Sequence, residues 1–226
     1  MKLHLLIPDS LEDITLEQYQ KFEKLNTKEN QNSVFLMQKM IEIFCDVEFD
    51  LTLGMKYKDL TETVSHINNI LNSQPDLQTV FKLNKKEFGF IPNLDDITLG
   101  EYIDLDNYLG KWQTMNKAMS VLYRPVTMKK GDRYLIEQYK GSKYSDEMKK
   151  SPLSVCIGAM IFFYNLNNEL LSHTLNYLKR ELGNNLTSEQ LVTLEKNGDG
   201  ISQSLHSLEE ILKDLRISPN SKRLNV

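Results

Sequence analysis

Residues 91–102 read IPNLDDITLGEY and residues 7–19 read IPDSLEDITLEQY, one phrase written twice at an offset of 83 to 84 residues once Ser10 is dropped. Both copies spell the start of a helix. Thr15 stands three residues before Gln18, and Thr98 three before Glu101. This is the capping-box spacing: the threonine oxygen accepts a first-turn N–H while the Gln or Glu side chain returns to the cap's own N–H. Ile14 and Ile97 precede the caps, and Tyr19 and Tyr102 take the fourth helical position, which is the pairing of a hydrophobic staple. Upstream, LHLLIP (Leu3–Pro8) and FGFIP (Phe88–Pro92) read as extended, because proline drives the preceding isoleucine away from helix. Each unit is expected to be strand, turn and capped helix, and the two copies suggest a degenerate internal duplication.

The phrase is acidic, with Asp13, Glu17, Asp95, Asp96, Glu101, Asp104 and Asp106 in or near its two copies. A carboxylate cluster for Mg²⁺ and phosphoryl chemistry is one reading. The plainer one is that acids near a first helical turn complement the helix dipole, and without a Gly-rich phosphate loop the phrase reads as architecture.

Working outward from the two copies, Leu16 to Leu25 forms a helix, and SVFLMQKMIEIFCD places Phe35, Met37, Met40, Ile41 and Phe44 on one core-facing stripe. A loop through VEFDLTLGMKY leads to a helix over Tyr57–Asn72 facing inward with Leu60, Val64, Ile67 and Leu71. From Leu99 to about Tyr123 the spacing predicts one long helix with Tyr102, Leu105, Tyr108, Trp112, Met115 and Met119 buried, ended by Arg124-Pro125. YRPVTMKKGDRYLIEQY then reads as a β-hairpin, Pro125–Met128 and Arg133–Glu137 around Lys-Lys-Gly-Asp. Ser151-Pro152 opens a helix that runs past Leu171 to Leu182, with Gly183 as its stop. In the tail, Leu205, Leu208, Leu212 and Leu215 continue from Ile201 at alternating spacings of four and three, a two-heptad seam. The expected fold is mainly α: an α-rich α+β unit over residues 1–226 with short extended segments and one β-hairpin. Its related halves are 1–83 and 84–183, and a helical tail follows at 184–226.

The composition, 40% hydrophobic and 26% charged over 226 residues, is that of a soluble globular protein. Two distant cysteines, Cys45 and Cys156, lie in apolar runs, which argues against a disulfide framework and for a reducing compartment. MKLHLLIPDS has too short an apolar run for an export signal. LSVCIGAMIFFYNL (Leu153–Leu166) is shorter than the ~20 residues that span a bilayer and reads as a buried core helix, so no membrane partner is expected.

Catalytic signatures are weak. His4, His66, His173 and His206 are scattered away from cysteines and from HExxH spacing. Asn197-Gly198-Asp199-Gly200 fails as a calcium loop because its twelfth position is His206. No Walker A, GxGxxG or GxSxG pattern occurs. The expectation is a protein that is not an enzyme, with no cofactor, no metal and no small-molecule substrate.

One charge feature stands out. Residues 111–150 hold ten basic side chains against four acidic, a local +6, so the remainder carries −10 of the net −4. Tyrosines are interleaved, as a nucleic-acid surface allows, but an acidic chain with a basic hairpin fits a polar protein interface better. Lys129, Lys130 and Arg133 on the hairpin, with Leu205, Leu208, Leu212 and Leu215 of the tail, are the candidate partner-binding residues.

FIPNLDDITLGEYIDLDNYL, MSVLYRPV, YLIEQY and PLSVCIGAMIFFYNLNNELL resemble structural or assembly-cassette proteins of tailed bacteriophages of Bacteroidetes-like and aquatic bacteria, over roughly Ile91–Leu175. The resemblance implies a virion protein such as a head–tail ring, cargo or tail component, or a tail-assembly chaperone or host-directed factor not retained in the particle. Its partners would be phage virion proteins or copies of itself, in the virion or in the host cytoplasm during assembly, with nucleic acid as the second choice.

Overall fold

A computed structural model describes residues 5–31 and 33–182, together with His206 and Glu210. Its helices are α1 (Leu16–Glu23), α2 (Val34–Phe44), α3 (Phe49–Thr52), α4 (Tyr57–Leu71), α5 (Leu99–Tyr108), α6 (Met115–Leu122), α7 (Ser145–Met148) and α8 (Leu153–Leu182). Its strands are β1 (Val80–Leu83), β2 (Lys86–Phe90), β3 (Tyr123–Lys130) and β4 (Arg133–Ile136), paired antiparallel in the order β1-β2-β3-β4. At 51% helix and 14% strand the fold is mixed α+β, which corrects the expectation of a mainly α chain. The expected extended stretch at Phe88–Pro92 contains the end of β2, and β1, which the sequence reading does not contain, pairs with it as the β1–β2 hairpin. Its turn is Asn84-Lys85, both residues left-handed at φ 48 and 66, the type I′ geometry for which Asn-Gly is the usual signal.

α8 runs through the core. Leu153, Val155, Cys156, Ile157, Ala159 and Met160 are all buried, as an apolar run without a polar face requires. The sheet packs on this helix through Phe90, whose ring centroid lies 5.7 Å from Phe162 and 6.0 Å from Phe163. At Gly158 the chain passes so close that an added Cβ would stand 2.5 Å from the backbone carbonyl oxygen of Asp76.

Both capping boxes form. Gln18 N–H donates to Thr15 Oγ1 and Thr15 N–H to Gln18 Oε1, and Thr98 and Glu101 repeat the exchange. The staple forms only in the first copy, where Ile14 and Tyr19 are buried; Tyr102 is exposed. Residues 5–8 form no strand, so the strand, turn, helix unit is complete only in the second copy.

The expected long helix from Leu99 to Tyr123 is two helices. Gly110 takes φ 94, a left-handed stop that only glycine adopts cheaply. A 3₁₀ turn at Trp112–Thr114 then restarts the chain into α6. α4 buries the expected Leu60, Val64, Ile67 and Leu71, and α2 buries the expected Met40, Ile41 and Phe44 but starts its stripe at Leu36, with Phe35 exposed. Ser151 does not cap α8, since its hydroxyl donates to Met148 O. The first amides of α8 go instead to the first repeated phrase, Leu153 N–H to Ile14 O at 2.7 Å and Ser154 N–H to Leu11 O at 3.3 Å.

Two substitutions test these close approaches. Lys85→Gly removes a left-handed cost of about 1–2 kcal/mol against about 0.4–1 kcal/mol of unfolded-state entropy, so denaturant unfolding should show a gain near 0.5 kcal/mol. Gly158→Ala gains about 1 kcal/mol of helix propensity but overpacks against backbone, so it should be net destabilising by about 1–2 kcal/mol. A stabilised Gly158→Ala chain would contradict the packing of α8 against residues 76–77.

Candidate functional site

The β3–β4 hairpin closes on the two-residue turn Gly131-Asp132. Gly131 has φ 59, which suits the first central position of a type II′ turn. Met128 pairs with Leu135, Lys129 with Tyr134 and Lys130 with Arg133, after a bulge between Val126 and Met128. Alternation then gives the hairpin two faces. Val126, Lys129, Tyr134 and Ile136 share the inner one. Met128, Lys130, Arg133 and Leu135 share the outer one, and all four are exposed.

The inner face mounts the hairpin on the sheet. The ring of Tyr134 lies across Gly89, where an added Cβ would come within 2.5 Å of it, and its hydroxyl donates to the carbonyls of Phe90 and Thr79 at 3.0 and 3.1 Å. Lys129 Nζ turns back to Glu87 at 3.2 Å. Of the three hairpin cations singled out from sequence, Lys129 is therefore held by its own chain, while Lys130 and Arg133 point outward together.

A buried ion pair holds the hairpin's base. Glu101 of α5 and Arg124 of β3 meet at 2.5 Å (Oε1 to Nη1), both buried. The second carboxylate oxygen accepts from Thr98 N–H and its hydroxyl. Burial opposes the Glu101 charge, but the two Thr98 hydrogen bonds and the Arg124 guanidinium outweigh it and hold the carboxyl below its ordinary value. The guanidinium carbon sits 5.7 Å from the Tyr139 ring centre, and the Tyr139 hydroxyl donates to Asp104. Gln18 plays the corresponding part in the first copy, its amide donating to Ile43 O at 2.8 Å. In both copies the box residue ties its helix to a second element.

The remaining candidates disperse. Asp13 accepts from the amides of Asp9 and Ser10, Glu17 lies near Lys21, and Asp96 accepts from Asn93. Among the described residues no three His, Cys, Asp or Glu side chains are grouped so as to hold a metal. Burial pushes the Cys45 thiol up to about 11 and the Cys156 thiol to about 12, the latter eased slightly by Ser151, so neither is a ready nucleophile. Leu205, Leu208, Leu212 and Leu215 lie outside the described residues. No described helix is long and apolar enough to cross a membrane.

Sequence reading did not find the exposed stripe of α5. Leu99, Tyr102, Ile103 and Asp106 follow the i, i+3, i+4, i+7 spacing of one helix face, with Asp95 and Asp96 just upstream, and all six are exposed. The spacing is legible, but the staple pattern places Tyr102 inward.

The Glu101 carboxyl, depressed in the folded chain, contributes stability that is present above its unfolded value and lost as pH falls through its folded value. Resistance to denaturant should therefore fall on acidification below about 4.5. Glu101→Gln should remove part of that pH dependence and cost about 3 kcal/mol at neutral pH by leaving Arg124 buried without its counter-charge. Compared with protein-family models, with curated proteins and with solved structures, the chain matches none of them.

Proposed function

We propose that the chain is a non-enzymatic structural or assembly protein of a tailed bacteriophage that works through protein–protein contacts. The observation that carries this reading is the hairpin itself. An outer face pairing two apolar side chains, Met128 and Leu135, with two cations, Lys130 and Arg133, stands exposed on a rigidly mounted arm. Exposed apolar side chains beside arginine are the composition of a contact surface. The resemblance of residues 91–175 to phage assembly-cassette proteins supplies the setting: partners that are virion proteins or further copies, in the particle or in the host cytoplasm during assembly.

Nucleic acid is the weaker reading. Half of the segment's ten cations are paired within the chain: Arg124 with Glu101, Lys129 with Glu87, Lys149 with Asp146, and Lys140 and Lys143 sharing the single charge of Glu137. A phosphate-tracking groove needs a continuous field that these pairs interrupt.

Mass spectrometry of purified virions is the deciding measurement. Stoichiometric presence supports a structural or cargo component. Production during infection with absence from particles supports a chaperone or host-directed factor acting by the same contacts. A salt-sensitive gel shift of DNA by the purified chain, lost in Lys130→Glu with Arg133→Glu, would overturn the protein-contact reading.

A further inference from the structure

Two exposed faces of this chain complement one another. The hairpin's outer face sets Met128 (65% exposed) and Leu135 (58%) beside the cations Lys130 and Arg133. The outer stripe of α5 sets Leu99 (74%), Tyr102 (58%) and Ile103 (47%) beside Asp106, with Asp95 and Asp96 at its upstream end. Each is an apolar strip flanked by charge, net positive on the hairpin, where the turn residue Asp132 stands beside two cations, and negative on α5. Both faces are solvent-exposed in the described chain, so they do not meet within it.

We propose that the hairpin of one copy docks on α5 of a second copy, head to tail, with Met128 and Leu135 against Leu99, Tyr102 and Ile103, and Lys130 and Arg133 against the acids. The inference rests on the contact-based function proposed above and names the partner. Charge decides the geometry. Two-fold pairing of hairpin with hairpin would bring together four cations, and α5 with α5 a cluster of acids, both of which cost affinity. Hairpin with α5 is attractive, and because the two patches differ, each docked copy still offers one face of each kind. Such a heterologous contact grows into a ring if the rotation closes and into a filament if it does not.

The two faces are fixed relative to each other by the structure already described. α5 carries Glu101 on its inner side, β3 carries Arg124 at its base, and their ion pair joins the two docking elements within one copy. The angle between successive copies is thereby set inside each protomer.

The test is the oligomeric state of the full chain by sedimentation or light scattering. The unaltered chain should assemble in a concentration- and salt-dependent way. Lys130→Glu with Arg133→Glu should weaken assembly about a hundred-fold, and Asp95→Lys with Asp106→Lys by a similar factor. Each alone should be monomeric where the unaltered chain assembles. Mixed one to one they should assemble again with the two variants alternating, because the native α5 of the first meets the native hairpin of the second and the two reversed faces also meet. All four changes in one chain should restore full assembly. Leu135→Ala and Tyr102→Ala, small surface truncations, serve as a second pair should a reversal lower the thermal midpoint.

A monomeric unaltered chain overturns the proposal, as does a reversal without effect or a mixture that stays monomeric. If the hairpin reversal instead releases another virion protein from a monomeric chain, an acidic partner occupies the hairpin and self-docking is wrong while the contact-based function stands. Assembly that follows the predicted pattern in a chain that phage-infected cells never place in or use for particles sustains the docking and overturns the phage role.

Discussion

Two helix starts satisfy each other at the centre of this protein. The first amides of α1, on Leu16 and Glu17, donate to Ser151 O and Lys149 O at 3.0 and 2.8 Å. The first amides of α8, on Leu153 and Ser154, donate to Ile14 O and Leu11 O. Thr15 and Pro152 form an isolated antiparallel bridge between them. Helix N-termini ordinarily leave their first amides without intrahelical partners, and burial makes such donors costly. Here the exchange, completed by the Thr15 and Gln18 box, lets both helices begin in the interior. The apolar start of α8 is thereby placed where α1, the sheet and the 73–79 connection can all pack on it.

The second copy of the repeated phrase does a different job with the same chemistry. Its box residue is an acid rather than an amide, so Glu101 reaches across to a cation on the sheet instead of a carbonyl on a helix. A buried pair of this kind adds little to stability by itself but penalises misplacement. It fixes α5 against the root of β3, and the tyrosines Tyr134 and Tyr139 carry that order outward into the hairpin. This mounted arm and the charged face of α5 are the features on which the proposed contact-based function rests.

Much of this was legible in the amino acids. Thr15, Gln18, Thr98 and Glu101 announce their boxes by spacing alone, the stripe of α4 is a clean 3.6-residue repeat, and Gly131 marks the hairpin turn. Other features depend on tertiary partners that no local pattern encodes. The β1–β2 hairpin turns on Asn84-Lys85, whose second residue hides the turn signal. Gly110 interrupts an otherwise plausible helical stripe, and Tyr102 faces outward because α5 buries Glu101 and Leu105 instead. The partnership of Arg124 with Glu101, and the inward turn of Lys129 to Glu87, follow from strand register and could be read only once the strands were placed.

The exchange between α1 and α8 also dictates an order of events during synthesis. Leu16 and Glu17 lie near the beginning of the chain and their acceptors, Lys149 and Ser151, far along it. Closing so long a loop is slow, because its entropy is lost before the contact returns any stabilisation. α1 therefore leaves the ribosome with its leading amides facing water until residues 149–151 emerge, although its Phe22 can already meet Phe44 of α2. The α2–α4 pair and the β1–β2 hairpin, whose contacts are local, can form during that wait. Completion of the core is a late step, because Leu153, Val155, Cys156, Ile157, Ala159 and Met160 join it last, so a chain ended before residue 153 lacks the helix on which the sheet packs.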